Sequence, residues 1–234
     1  MSSGNFLTIG SVFYSLLLIT VFFSKKRLKT LENKIYSMLI ICNFIGLILA
    51  IMCYYTVLYN DIVPMLNFII SRLYLIYLVS YIFLFFCYLI AGLYTEDDKL
   101  TGKIKKFFIS ITFIFFVIVL LVYYLPLYYH NENMIIYSYG PSANIIYFLA
   151  TVCMTIWTIL LIKNYKKVKN KKFWPIVFFI IGSLIVTIVQ KNNPGLLLMT
   201  SFETFITIIM YFTIENPDTK MLEEVHKAKV ISDN

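Results

Sequence analysis

Seven apolar stretches, each long enough to cross a lipid bilayer, divide this 234-residue chain, and no other feature restricts its fold as much. They run from Phe6 to Phe23, Ile35 to Leu58, Met65 to Tyr94, Phe107 to Leu127, Ala143 to Ile162, Phe173 to Val189 and Leu196 to Ile214. A helix needs roughly 20 apolar residues to cross about 30 Å of hydrocarbon. In that medium only helices and closed barrels satisfy every backbone N–H and C=O, and barrel strands are alternating segments of about 10 residues, unlike these unbroken runs. The expected fold is an all-α integral membrane protein with seven transmembrane helices. With 60% hydrophobic and 18% aromatic residues, a water-soluble domain of this length is excluded.

Charge placement orients the helices. Eighteen of the twenty Lys and Arg residues fall on one side of the apolar stretches. Five are in the first connection (Lys25, Lys26, Arg27, Lys29, Lys34) and four in the third (Lys99, Lys103, Lys105, Lys106). The fifth holds six (Lys163, Lys166, Lys167, Lys169, Lys171, Lys172) and the tail three (Lys220, Lys227, Lys229). The other side has only Lys191, while Arg72 lies inside an apolar run. By the positive-inside rule the N-terminus is expected outside and the C-terminus in the cytoplasm. The net charge of +8 then reflects loops that sense anionic inner-leaflet lipids at about 1 kcal/mol per residue. Membrane lipids, and no nucleic acid, are the expected partners. The first run lacks the charged start and cleavage site of a signal peptide, so it is expected to be a retained helix.

Cys42, Cys53, Cys87 and Cys153 all lie in apolar runs without CxxC or Cys/His spacing, and read as small apolar side chains. No cofactor or metal is expected. The outer loops (Tyr59 to Pro64, Tyr128 to Ser142, Gln190 to Gly195) leave no room for a folded domain, so an external signal must be read by the helices. Tyrosines are dense there: Tyr54, Tyr55, Tyr59, Tyr123, Tyr124, Tyr128, Tyr129, Tyr137 and Tyr139. Two readings stand side by side, an interfacial aromatic belt and a tyrosine-lined pocket for a small or lipophilic ligand, drawing on Tyr54, Tyr55, Tyr123, Tyr124, Tyr128, Tyr137 and Tyr139.

Two ionisable residues interrupt the apolar runs. Glu203, flanked by Thr200, Ser201, Thr204 and Thr207, is costly in hydrocarbon and marks a functional site by default. Arg72 has two readings: snorkelling from an interfacial first turn, or pairing with Glu203. Each follows the outer start of its run by seven residues, which places both about 10 Å below the boundary. Catalytic arrangements are missing: there is no zinc-binding His-Glu-x-x-His, no serine nucleophile elbow and no paired carboxylates beside a base. His130, with Glu132, reads as a solvated loop residue or as an outer site sensitive to pH or metal.

From Glu215 the chain turns polar, which divides it into a membrane domain, 1–214, and the start of a cytoplasmic helix, 215–234. Asn216 reads as an N-cap, Pro217 as the first helical residue and Asp218 as a favourable charge in the first turn. The segment Tyr211-Phe212-Thr213-Ile214-Glu215-Asn216-Pro217-Asp218, then Lys220-Met221-Leu222-Glu223-Glu224, resembles the end of the membrane input region in a group of bacterial sensor histidine kinases. That resemblance implies a multi-pass protein of the bacterial cell membrane. It also implies a signalling helix leading to a dimerisation helix and downstream kinase domains. His226 lacks the Arg and Pro of the family's phosphoacceptor box, and the sequence stops at Asn234 before such a box, so no kinase activity is expected of this polypeptide.

Met221, Val225 and Ala228 follow four-three spacing, a short seam through which the tail is expected to pair with a second copy as a homodimer. The leading functional reading is a signal-input module that passes a ligand or membrane signal through the last helix. The alternatives are a small multi-pass transporter or permease component and a lipid-acting enzyme using Glu203.

Overall fold

The computed structural model describes residues 3–26, 30–94, 102–132, 135–163, 170–216, 222 and 225. Among the described residues, seven helices are long and apolar enough to cross a membrane. They are α1 (Ser3–Ser24), α2 (Leu31–Leu58), α3 (Pro64–Tyr94), α4 (Gly102–Tyr124), α5 (Pro141–Lys163), α6 (Asn170–Asn192) and α7 (Leu198–Met210), which runs into a π turn at Tyr211–Glu215. This is the multi-pass, helical architecture expected of the apolar runs.

Local chemistry sets the helix ends. Thr30 caps α2 from an extended backbone (φ −87°, ψ 157°), its side chain accepting the Asn33 N–H, and Glu32 complements the positive end of the dipole in the first turn. Pro64 and Pro141 open α3 and α5, where a missing N–H costs nothing. Helix α3 is the centre of the bundle: 72% of its most apolar window is buried, against 6% for α4 at the periphery. Helices α2, α4 and α5 pack on α3, while α7 packs on α1, α2 and α6.

One element departs from the all-helical expectation. The α4–α5 connection is an antiparallel hairpin of β1 (Tyr128–Glu132) and β2 (Ile135–Tyr139), with Tyr128 opposite Tyr139 and His130 opposite Tyr137. Aromatic and β-branched residues favour a pleated, half-buried surface. Beyond the helix ends the hairpin supplies the backbone pairing that a helix supplies within them. It closes over the bundle: Ile136 is buried, and Asn131 Nδ2 donates to Leu58 O at 3.1 Å at the end of α2. Gly140 turns β2 into α5 at φ +120°, where a Cβ would lie 2.9 Å from the Tyr128 ring, so glycine is required twice over.

Candidate functional site: a tyrosine ladder and a capped cavity

Helix α3 carries Tyr74, Tyr77, Tyr81 and Tyr88, three, four and seven residues apart, a spacing that aligns them on one face. All four are buried, and all four hydroxyls reach α7 or its π turn. Tyr74 Oη shares a 3.1 Å hydrogen bond with Thr200 Oγ1. Tyr77 Oη donates to Glu203 Oε2. Tyr81 Oη donates to Glu203 O at 3.2 Å and bonds Thr207 Oγ1 at 3.0 Å, and Tyr88 Oη donates to Glu215 Oε1 at 2.5 Å. Each of the first three side-chain pairs is separated by 126 residues and the last by 127. The extra residue is the signature of the π turn. An uninterrupted α-helix would bring Ile214, seven residues after Thr207, to face Tyr88; widening the turn brings Glu215 there instead. Single π turns inside α-helices are frequently found at functional sites.

Helix α2 closes the other side of the ladder. Asn43 Nδ2 donates to Thr200 O at 3.4 Å, Thr204 Oγ1 donates to Asn43 Oδ1 at 2.8 Å, and Tyr36 Oη donates to Thr207 O at 2.6 Å. The approach of α2 to α3 depends on Gly46, because a Cβ there would land on the Tyr77 ring. Three helices therefore meet around Glu203, which is 1% exposed.

Above Glu203 lies a cavity of about 90 Å³. Its walls come from α2 (Ala50, Val57), α3 (Leu75, Leu78) and α5 (Ile146, Ala150), and Ile136, Tyr137 and Ser138 of β2 close it. Leu197 also lines it, in the left-handed region at φ 44°, ψ 46°, directly before α7 begins. For a residue with a Cβ that conformation costs about 1–2 kcal/mol. Gln190 Oε1 holds the junction by accepting the Met199 N–H at 3.0 Å.

The structure separates the two ionisable residues expected to pair. Arg72 Nη1 donates to Val122 O at 2.5 Å and to Ser142 Oγ at 3.0 Å, and its guanidinium lies over the Phe68 ring at 5.3 Å. Val122 is in the last turn of α4, where carbonyls lack helical partners and the dipole favours a cation. Arg72 is thus a clamp joining α3 to the end of α4 and the start of α5, and no ion pair with Glu203 forms among the described residues. An equal offset along two apolar runs does not set the angle around each helix axis. Tyr74 faces α7, and position 72, two residues earlier, is about 200° round the helix. Tyr129 of β1 is nearby, and burial pushes its phenol above the usual range while the Arg72 charge opposes that shift.

Of the tyrosines expected to form a ligand pocket, Tyr54 and Tyr137 line the cavity. Tyr55, Tyr123, Tyr124, Tyr128 and Tyr139 are exposed and outside it, in keeping with a belt. Sequence reasoning missed Tyr74 and Tyr147, which do line it, and the ladder partners Tyr77, Tyr81 and Tyr88. The 74-77-81-88 spacing, matched by Thr200, Glu203 and Thr207, was the available signal.

In the tail, Asn216 has φ −59° and ψ 116°, the extended form imposed on a residue preceding proline and suited to an N-cap. Glu215, expected to begin the tail, is buried in the bundle. Leu222 and Val225 are helical and exposed, while Pro217, Met221, Ala228 and His226 lie outside the described residues. Cys42, Cys53, Cys87 and Cys153 are free thiols.

Comparison with protein-family models, curated proteins and solved structures finds no match to this chain.

Proposed function

We propose that this chain is a membrane-embedded signal-input module, in which occupation of the cavity under the hairpin shifts α7 against α3 and so moves the segment that follows Asn216. The observation that carries this reading is the ladder itself. A single row of tyrosines connects Glu203, at the cavity, to Glu215, at the end of the last helix. A buried carboxyl at each end makes the register between α3 and α7 a matter of several hydrogen bonds that form or break together.

The π turn supplies the two-state element that transmission requires. Conversion of Tyr211–Glu215 to regular α-helix would remove one residue from the turn. It would rotate everything beyond it by about 100° and withdraw Glu215 from Tyr88. The resemblance of residues 211–224 to the input regions of bacterial sensor histidine kinases supplies the output: a histidine kinase whose dimerisation helix follows the tail. In this reading the lysine-rich loops are cytoplasmic, the hairpin faces the exterior, and two copies associate in the bacterial cell membrane along a seam that includes Val225. Exposure of Val225 and Leu222 leaves apolar side chains for such a partner.

The test is a spin label at Val225→Cys, with Cys42, Cys53, Cys87 and Cys153 replaced by alanine, in lipid nanodiscs. Ala150→Leu fills the cavity as a fixed substitute for ligand, and Tyr88→Phe releases Glu215 at the far end of the ladder. Both are expected to change the label's mobility and the distance between labels on two copies. If neither changes the spectrum, the cavity is not an input; if no distance between copies is detected, the dimer is lost.

A further inference from the structure

The polar equipment of the cavity is unequal. Glu203 is buried and lines it, yet only Oε2 has a protein partner, the Tyr77 hydroxyl. Oε1 has none among the described residues. The one Arg in the apolar runs is committed to Val122 O and Ser142 at the end of α4, so no side-chain cation of the described residues compensates the carboxyl. A carboxylate taken out of water is tolerated when it is paired with a cation and hydrogen-bonded. What the protein leaves open beside Glu203 is the place of a hydrogen-bonding partner, and a positively charged donor is the partner that would hold the carboxyl ionised.

The walls narrow the class of donor. Tyr54, Tyr74, Tyr137 and Tyr147 line the same cavity. Aromatic faces attract ammonium groups through their quadrupole, more strongly when both are desolvated. The remaining surface is mostly aliphatic, from residues such as Leu75, Leu78 and Ile146. A volume of about 90 Å³ is smaller than the roughly 150 Å³ apolar cavity that accepts benzene, so the occupant is small. An inorganic cation would leave the aliphatic walls unused, and a neutral hydrocarbon would leave Oε1 bare.

We propose that the cavity is a binding site for a small organic ammonium, an alkylamine of one or two carbons, whose nitrogen donates to Glu203 Oε1 while the tyrosine rings and aliphatic walls enclose its body. The proposal rests on the reading of the cavity as the input site and names the ligand class for it. Pairing the amine with Glu203 gives the carboxyl a second partner, on Oε1, beside the Tyr77 hydroxyl on Oε2.

Calorimetric titration of the protein in zwitterionic nanodiscs compares ethylammonium chloride, ethanol and sodium acetate at matched ionic strength. The expected result is saturable binding of ethylammonium at least ten-fold tighter than ethanol, with no binding of acetate. Glu203→Gln should abolish that preference. Ala150→Leu, which keeps Glu203 and fills the space, should abolish amine binding altogether, so the proposal remains testable even if Glu203→Gln fails to fold. Equal affinity for amine and alcohol, or an amine affinity unchanged by Ala150→Leu, overturns it. The spin label at position 225 separates this from the sensing role. Amine binding with a label indifferent to Ala150→Leu retains the site and removes the input function. A responsive label without amine binding does the reverse.

Discussion

Replacing Tyr77 by Phe removes one hydroxyl and nothing else from a buried junction of the bundle. The ring stays where Gly46 permits it, so packing is unchanged. What is lost is the donor to Glu203 Oε2, and the carboxyl has no other hydrogen bond from the described residues. Leaving a buried acceptor unsatisfied costs about 1–3 kcal/mol, whereas hydrogen bonds between membrane helices average about 0.6 kcal/mol with a maximum near 1.7. Because this change strips the carboxyl of its only protein partner, the cost should fall at the upper end of the membrane range, about 1.5 kcal/mol.

Tyr81→Phe is the internal control. It removes two bonds, but Glu203 O keeps the Thr207 hydroxyl at 2.7 Å, so the expected cost is nearer 0.5 kcal/mol, about the membrane average. The assay is reversible unfolding in mixed detergent micelles, followed by the fluorescence of Trp157, which is buried against Phe85 and Phe179. The Tyr77→Phe and Glu203→Gln variants and their combination complete a cycle, with an expected coupling of about 1 kcal/mol. Additive losses, or a Tyr77→Phe cost no greater than that of Tyr81→Phe, would refute the idea that the hydroxyl and the carboxyl act as a unit.

Three further outcomes are expected. Arg72→Met and Glu203→Gln should be additive within about 0.5 kcal/mol in the same unfolding assay, because the two side chains bond different helices; a larger coupling would restore the ion pair. Gly46→Ala should destabilise by about 1–3 kcal/mol by overpacking against the Tyr77 ring, and much of that loss should vanish in a Tyr77→Leu background; a neutral Gly46→Ala would show that α2 and α3 can separate freely. Reporter fusions after Lys29, Gly102 and Lys169 should report cytoplasm, and fusions after Asn131 and Asn192 the exterior; one reporter on the wrong face reverses or breaks the proposed orientation.

The number and approximate bounds of the membrane helices were legible in the sequence, because the free energy of placing a residue in hydrocarbon is nearly a sum along the chain. Among the described residues the seven apolar runs correspond to seven helices, and Glu203, which stood out as a costly residue, lines the cavity. The starts of α2, α3 and α5 at Thr30, Pro64 and Pro141 were not read from the sequence, although each residue acts through its own backbone neighbours. The hairpin at Tyr128–Tyr139 was not anticipated, because it lies where backbone pairing depends on what lies beneath it, here the ends of α2 and α5.

Tertiary structure alone decided which way each polar side chain points. Arg72 and Glu203 share an offset along their apolar runs, a one-dimensional quantity, but their angular positions on α3 and α7 depend on how the helices are rotated against their neighbours. That rotation is fixed by packing: Gly46 lets α2 close on Tyr77, and the four α3 tyrosines then select the face of α7. The π turn is decided in the same way. Nothing in Tyr211-Phe212-Thr213-Ile214-Glu215 demands a wider turn by itself. The extra residue places Glu215 against Tyr88, a partner that exists only once the tyrosines of α3 reach across to α7 and its π turn.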